Sequence, residues 1–170
     1  MEYIYIGKIV NTHGLKGELR IISDFNEKEE VFKKEFKIYI GNNKEEKIIQ
    51  NYRKHKNYDM VLLNEIDSID KALAYKGEYV YIKRDDINKE IIIEDLYNYY
   101  VYEEDKFIGK VTSLENGIKY PYIVINDKFR VPYLKEFIKE IDKDSKKINI
   151  YYRKGLIDEN WYTNTFSWNV

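Results

Sequence analysis

A stretch of ten residues, 11–20, constrains this chain more than any other part of its sequence. It lies between two runs of strand-forming residues, 3–10 and 18–24, and contains Gly14 and Gly17 three positions apart. Tight connections favour glycine, because it accepts backbone conformations that are closed to other residues. The stretch therefore predicts a β-hairpin. On the residues alone, a hairpin loop with a solvated basic edge accounts for the charged side chains around the turn.

The hairpin is also the centre of a longer pattern, G-x-I-x-x-x-H-G-L-x-G-E. Every fixed position of this pattern is present, at Gly7, Ile9, residues 13–15 and residues 17–18. The pattern resembles the opening signature of the RimM family of ribosome maturation factors. Its spacing is long enough to make the resemblance fairly specific.

Composition bounds the class of protein. With 170 residues, of which 44% are hydrophobic and 35% charged, the chain can bury the core of one large or two small domains. It has no cysteine, which excludes disulfides, thiolate metal sites and a cysteine nucleophile. A net charge of −1 argues against a general nucleic-acid binder, which is usually basic overall. We see no signal peptide and no run near the roughly 20 residues of a membrane-spanning helix, so we expect a cytoplasmic protein with no membrane partner.

Strand and turn signals alternate through the first half of the chain. Residues 36–40 and 47–53 have apolar positions in phase and flank a turn signal at 41–44. Residues 66–76 predict a short helix with a cap at Asp67-Ser68. Many short strands with one short helix indicate a closed antiparallel barrel.

The most basic short cluster, residues 53–57, is predicted to be a turn between two strands. Such clusters usually face water, but their lysine and arginine side chains can also pair with phosphates. The R-x-H-K turn and the D-x-x-L-L strand that follows it resemble the same region of the RimM family. If this turn and the first hairpin lie at one end of the barrel, their cations would suit RNA phosphates.

Both turns supply candidate binding residues. The candidates for RNA or ribosome binding are His13, Lys16, Arg20, Arg53, Lys54 and Lys56. Of these, His13, together with Glu18, is expected to fix the loop more than to touch RNA, because short buried polar side chains usually satisfy local backbone groups.

The second half of the chain carries a different resemblance. The G-K-V sequence at 109–111, the run V-P-Y-L-x-x-F-I-x-x-I-D at 131–142 and G-L-I-D at 155–158 resemble the PRC-barrel domain that forms the C-terminal half of RimM proteins. Apolar residues within the middle run recur at helical spacing and predict a short amphipathic helix. These residues are Leu134, Phe137, Ile138 and Ile141.

The family resemblance also implies a protein-binding site. In RimM proteins an aromatic pair near the start of the second domain contributes to partner binding, and Ile91 and Ile92 stand in its place here. The change keeps apolar surface but loses rings and hydroxyl groups. The candidates for ribosomal-protein binding are Ile91, Ile92 and Tyr133.

Together these patterns predict a mainly β protein with two small antiparallel β-barrel domains, a short linker and one or two short helices. The predicted parts are a RimM-type N-terminal barrel, a linker, a PRC-barrel-like domain and an aromatic tail, at residues 1–84, 85–93, 94–158 and 159–170. The tail contains both tryptophans, and it either packs back on a barrel or binds a partner.

Catalytic signatures are missing from the sequence. There is no G-x-x-x-x-G-K-[ST] loop, no G-x-G-x-x-G loop and no pair of histidines at metal-ligand spacing. We therefore expect no enzymatic activity, no metal and no cofactor.

The RimM resemblance implies an assembly chaperone. Such a protein binds free 30S small subunits and ribosomal protein uS19, promotes 16S rRNA processing and head-domain assembly, and would act here as a monomer that can contact 16S rRNA. Two alternatives remain from other classes. One is a PRC-barrel interaction module without a ribosomal role, and the other is an enzyme with an unrecognised site.

Overall fold

The computed structural model describes residues 2–151, and the chain divides between Lys89 and Glu90 into two compact units. We call them the first unit and the second unit and describe each by itself. The predicted aromatic tail, residues 159–170, and the G-L-I-D sequence at 155–158 lie outside the described residues.

Strands close into a barrel in the first unit. Within the described residues its strands are β1 (Tyr3–His13), β2 (Glu18–Ile22), β3 (Lys37–Ile40), β4 (Glu45–His55), β5 (Tyr58–Leu63) and β6 (Tyr79–Lys83). Their order around the barrel is β1-β2-β5-β4-β3-β6, and the neighbouring pairs are antiparallel. Two short helices accompany the strands in this part of the chain, α1 (Lys28–Val31) and α2 (Ile69–Leu73).

The interior of this barrel follows from strand alternation. Leu19 and Ile21 on β2 are fully buried, and the register sets Leu19 opposite Val61, which is buried as well. Successive side chains of a strand point to opposite faces. The residues between them, such as Arg20, therefore point to the outside of the barrel.

A buried carboxylate joins α1 to the barrel. Asp59 on β5 is fully buried, and its carboxylate oxygens lie 2.7 Å from Lys28 Nζ, 2.7 Å from the Tyr52 hydroxyl and 3.4 Å from Lys54 Nζ. The Tyr52 ring also stacks on Phe32 just after the helix, with ring centroids 5.7 Å apart. Two cations and a hydroxyl donor thus compensate a charge that would be costly to bury alone.

Stability at high pH is expected to depend on Tyr52. Burial, and then the hydrogen bond to Asp59, raises the pKa of Tyr52 above its ordinary value of about 10. Above pH 10 the unfolded chain loses this proton while the folded chain keeps it, so the free energy of unfolding falls as pH rises. The contribution of one such group is about 1.4 kcal/mol per pH unit.

The measurement is urea unfolding of the wild type and of Tyr52→Phe at about pH 8 and at several pH values above about 10. These values lie below and above the ordinary tyrosine pKa of about 10. The phenylalanine variant should lose stability less steeply above pH 10. Parallel pH profiles for the two proteins would show that Tyr52 does not carry the effect.

The second unit is built on a sheet. In its described part the strands are β7 (Tyr100–Glu103), β8 (Lys106–Asn116), β9 (Pro121–Ile125), β10 (Phe129–Pro132), β11 (Ile138–Asp142) and β12 (Lys147–Ile150). The order is β10-β9-β8-β7-β12-β11. The predicted mainly β class with short helices is confirmed, with one difference, because β7 and β12 pair in parallel.

The predicted amphipathic helix in the second unit is wrong. Residues from Ile138 onward form β11, which pairs with β12. A register shift between Ile138 and Glu140 sets Ile138 opposite Ile150 and Ile141 opposite Ile148. An extra residue in one strand puts positions three apart on the same face, which imitates helical spacing. Before the strand, Phe137 and Ile138 each donate an N–H to the Leu134 carbonyl at 2.9 Å, and this single turn completes the false pattern.

Candidate nucleic-acid interface

The first hairpin turn depends on its two glycines. Gly14 and Gly17 both have positive φ, +73° and +80°, and the Gly17 N–H donates to the Gly14 carbonyl at 3.3 Å. Open space surrounds the position of a Cβ on Gly14, whereas a Cβ on Gly17 would collide with the backbone carbonyl of Ser68. Ser68 is the N-cap of α2, and its hydroxyl accepts the Lys71 N–H at 3.3 Å. Gly17 therefore lets the hairpin approach the start of α2.

The two basic turns do not lie at the same end of the strands that they precede. β2 and β5 are antiparallel, with Leu19 opposite Val61 and Ile21 opposite Asp59. The turn at 14–17 therefore lies beside the end of β5, and the turn before Tyr58 lies beside the end of β2. On the sequence, the two turns are expected to form one phosphate-binding surface if both lie at one end of the barrel. The strand register shows that they lie at opposite ends of these strands.

Side chains from these strands nevertheless meet on the outer face of the barrel. The rings of His13 and His55 have centroids 6.3 Å apart, and Arg20 Nη2 lies 2.7 Å from His13 Nδ1. The Arg20 guanidinium also lies over the Tyr58 ring, 5.6 Å from its centroid. We call this group, with Arg53 and Glu18, the arginine–histidine cluster.

The cluster covers an apolar side chain. Met60 is fully buried although it stands between inward-facing Asp59 and Val61 on β5, so its side chain points outward. Its partners in the register are Arg20 on one side and Arg53 on the other. The polar side chains are therefore packed over Met60, which limits their freedom to move.

Arg53 is neutralised within the cluster. Its Nε and Nη2 donate to the two Glu18 oxygens at 2.9 and 2.5 Å, a bidentate pair. The hydrogen bond to Glu18 raises the pKa of Arg53, which stays charged at any ordinary pH. His13 and Glu18 contact the side chains of Arg20 and Arg53, and their expected role in fixing the hairpin stays a prediction.

The other predicted cations differ in how far they are neutralised. Lys54 Nζ lies 3.4 Å from buried Asp59, whereas Lys16, Arg20 and Lys56 have no carboxylate within ion-pair distance among residues 2–151. Lys16 and Lys56 are exposed. Within the described part of the chain, the Nε of Arg20 is buried without a hydrogen-bond partner. Lys16, Arg20 and Lys56 therefore carry the net positive charge of this surface.

An open cavity of about 260 Å³ adjoins the first turn. Its lining combines the turn with the strands next to it: His13, Gly14, Leu15, Lys16, Glu18, Asn51 and Leu62. Leu15 is largely exposed at the rim. A cation beside an apolar rim can receive a phosphate and the sugar or base attached to it.

The predicted protein-binding residues of the second unit lie in different environments. Ile92 is fully buried, and its N–H donates to the Asp95 carboxylate at 3.0 Å where a 3-10 helix, Ile93–Leu96, begins. A buried side chain cannot contact a partner, so the prediction for Ile92 is wrong and this residue belongs to the core. Ile91 and Tyr133 are partly buried against the same core and keep some exposed surface.

Tyr58 and Met60 were missed as members of the surface that carries the candidate residues, and His55 was predicted only as part of the basic turn. Each stands on the outward parity of β4 or β5, which the alternation of apolar Val61 and Leu63 on the other parity of β5 could have indicated from the sequence. Within residues 2–151, no group of three His, Asp or Glu side chains could hold a metal ion. The helices of that same range are all too short or too polar to cross a membrane.

The fold and the cluster define a class of protein, a two-domain β protein with a locally cationic barrel face. A family model described as the RimM N-terminal domain matches residues 4–87. The ribosome maturation factor RimM of Finegoldia magna is 31% identical over 92% of this chain and 100% of its own length. That of Staphylococcus haemolyticus is 32% identical over 91% of this chain and 99% of its own length. The chain belongs to the RimM family.

A solved structure is also similar. The solution structure of the N-terminal domain of RimM from Thermus thermophilus is 20% identical, with a TM-score of 0.46. The match covers 52% of this chain and 98% of that one.

Proposed function

We propose that this protein is a cytoplasmic, non-enzymatic assembly chaperone that binds free 30S small subunits and promotes 16S rRNA processing and head-domain assembly. Family membership over nearly the whole chain supports the general role, since the similar proteins are named ribosome maturation factors. The observation that carries the RNA contact is the positive charge of Arg20 on the outer face of the barrel and of Lys16 and Lys56 in the turns at either end of it, none of which has a carboxylate within ion-pair distance among residues 2–151.

Local rather than overall charge has to attract RNA, because the net charge of the chain is −1. Arg20 is the best-positioned of the three cations. Its guanidinium is held between His13 and the Tyr58 ring, so little side-chain freedom is lost when it binds a phosphate. Lys16 and Lys56 are exposed and extend the positive surface beyond it.

The second unit is proposed to bind ribosomal protein uS19. We assign the PRC-barrel-like role to residues 94–158, with Ile91 and Tyr133 as contact candidates. After Arg84 the chain carries three more acidic than basic residues, a balance that favours a basic partner by charge complementarity. Both candidates are packed against the core of the second unit and keep part of their surface exposed.

The RNA contact is tested with the pair Lys16→Ala and Lys56→Ala, because neither lysine has an ion-pair partner among the described residues. Sedimentation with purified small subunits should show association weaker by about tenfold and a smaller dependence on salt, since each lost phosphate contact reduces the salt slope by roughly 0.7–0.9. A matched control is Lys34→Ala with Lys76→Ala, which removes the same charge from exposed positions that belong neither to the two basic turns nor to the arginine–histidine cluster.

The outcomes separate two claims. If both double variants bind small subunits like the wild type, the RNA contact lies elsewhere on the protein. If the wild type itself binds neither free small subunits nor complete ribosomes at low salt, the proposed function is wrong and an interaction module without a ribosomal role replaces it.

A further inference from the structure

Tyrosine and lysine side chains alternate on the outer face of β1, β6 and β3, on a different side of the first unit. Around the six-stranded barrel of the described residues, β6 is three strands away from β5, which carries the centre of the arginine–histidine cluster. The register places Tyr5 and Tyr39 on either side of Tyr81. We call this group the tyrosine–lysine stripe: Tyr3, Tyr5, Tyr39, Tyr79, Tyr81, Lys8, Lys44 and Lys83.

The rings of the stripe contact one another in two groups, and one of them, Tyr39, is buried, with 3% of its surface exposed. Tyr5 contacts Tyr79 and Tyr81 edge to face, with ring centroids 5.8 and 6.1 Å apart, and Tyr3 contacts Tyr39 in the same way at 5.2 Å. Tyr5 is nevertheless 54% exposed, Tyr79 45% and Tyr3 37%. Cross-strand contacts hold these rings in place while leaving aromatic surface in water.

Lysines stand directly over the rings. Lys44 Nζ lies 3.7 Å from the centroid of Tyr81, Lys83 Nζ 4.6 Å from that of Tyr39 and Lys8 Nζ 5.5 Å from that of Tyr79. Within residues 2–151 none of the three has a carboxylate within ion-pair distance. A hydrogen bond with Tyr39 raises the pKa of Lys83, so this lysine is charged at neutral pH.

The nearby carboxylates do not neutralise the stripe. Asp24 raises the pKa of the Tyr5 hydroxyl less than burial and Tyr79 do, and Asp86 is the weakest influence on the pKa of Lys83. Glu46 accepts the Tyr39 hydroxyl at 3.4 Å and is paired with Lys37 at 3.3 Å. The exposed face therefore combines aromatic rings with unpaired positive charge.

We infer that the tyrosine–lysine stripe binds an unpaired segment of RNA, whose bases stack on the tyrosine rings and whose phosphates contact Lys8, Lys44 and Lys83. Exposed aromatic rings on a sheet stack two or three bases in known RNA-binding sheets, and stacking tolerates any base sequence. An apolar peptide would leave the three ammonium groups unneutralised, and duplex RNA would hide its bases from the rings. The inference goes beyond the proposed function, because it assigns RNA to a second surface and is tested without ribosomal subunits.

Fluorescence anisotropy of labelled oligouridylate and oligoadenylate of about 12 nucleotides tests the inference with the full-length protein at low salt. Tyr5→Leu with Tyr79→Leu removes the two most exposed rings but keeps apolar side chains, and it should weaken binding by about tenfold or more. Tyr5→Phe with Tyr79→Phe keeps the rings and should bind within about twofold of the wild type. Circular dichroism checks that each variant is folded.

A second pair of variants keeps the inference testable if the leucine variants fail to fold. Lys8→Gln with Lys44→Gln leaves the rings in place and should reduce the salt slope by roughly one to two units. Unpaired oligonucleotide should compete for binding, whereas duplex RNA and an acidic peptide should not. Binding unchanged by both the leucine and the glutamine pairs, no binding by the wild type, or equal competition by duplex RNA or the acidic peptide would each overturn the inference.

The two surfaces can fail separately. The Lys16→Ala and Lys56→Ala pair should keep the oligonucleotide affinity of the wild type, because these lysines lie outside the stripe. Loss of subunit association in that pair with unchanged oligonucleotide binding supports both assignments. Oligonucleotide binding that disappears in the Lys16 and Lys56 pair but survives in the leucine pair would overturn the stripe and leave the proposed function standing.

Discussion

Replacing Gly17 with alanine is expected to destabilise the first unit by roughly 2–5 kcal/mol, whereas the same change at Gly14 should cost about 1 kcal/mol. Both glycines have positive φ, so alanine pays the cost of the left-handed region at either position. Only at Gly17 does the added Cβ also collide with the backbone carbonyl of Ser68. Backbone cannot move aside as a flexible side chain can, and the hairpin must shift away from α2.

Hydrogen exchange of the full-length protein measures this difference region by region. Peptides covering β1, β2 and the start of α2 should exchange faster in Gly17→Ala than in Gly14→Ala, while peptides from the second unit should be unchanged in both. Equal protection of the β1–β2 hairpin in the two variants would show that the contact with Ser68 does not limit this position. The comparison separates the effect of the contact with Ser68 from the effect of positive φ. Both variants add the same methyl group at a residue with positive φ, but only at Gly17 does it meet Ser68.

Replacing Asp59 with alanine should lower the free energy of unfolding of the first unit by about 2–4 kcal/mol. Breaking a buried ion pair typically costs about 3–5 kcal/mol, and the estimate is reduced because the Lys28 side chain is 29% exposed and can regain water. The Tyr52 hydroxyl, whose distance to Asp59 is 2.7 Å, also loses its acceptor. The change removes the centre of the contacts that join α1 to β4 and β5.

Lys54→Ala is the matched control for Asp59→Ala. Its side chain is half exposed and lies 3.4 Å from the same carboxylate, so its removal should cost no more than about 1 kcal/mol. Urea unfolding followed by exchange of peptides from the first unit compares the two variants. An Asp59→Ala protein as stable as Lys54→Ala would mean that the buried carboxylate contributes little beyond its own cost of desolvation.

Several elements could be predicted from the sequence because their signals are local. The hairpin at 14–17 follows from two glycines at positions that need positive φ, and α2 begins just after Ser68 because the Ser68 hydroxyl caps its first turn. The β11 strand could not be recognised, since its register shift places Ile138 and Ile141 on one face with a spacing of three residues. Periodicity describes regular elements and fails where a strand contains an extra residue.

The sequence by itself determined the family, the mainly β class, the glycine-dependent hairpin and the residue types available for RNA contact. Tertiary structure alone decided which of those residues meet. The two basic turns lie beside different strand ends, yet His13 and His55 come within 6.3 Å, and Ile92 is buried instead of exposed. Strand register and barrel closure bring together residues tens of positions apart, and neither property is encoded in any short stretch of the chain.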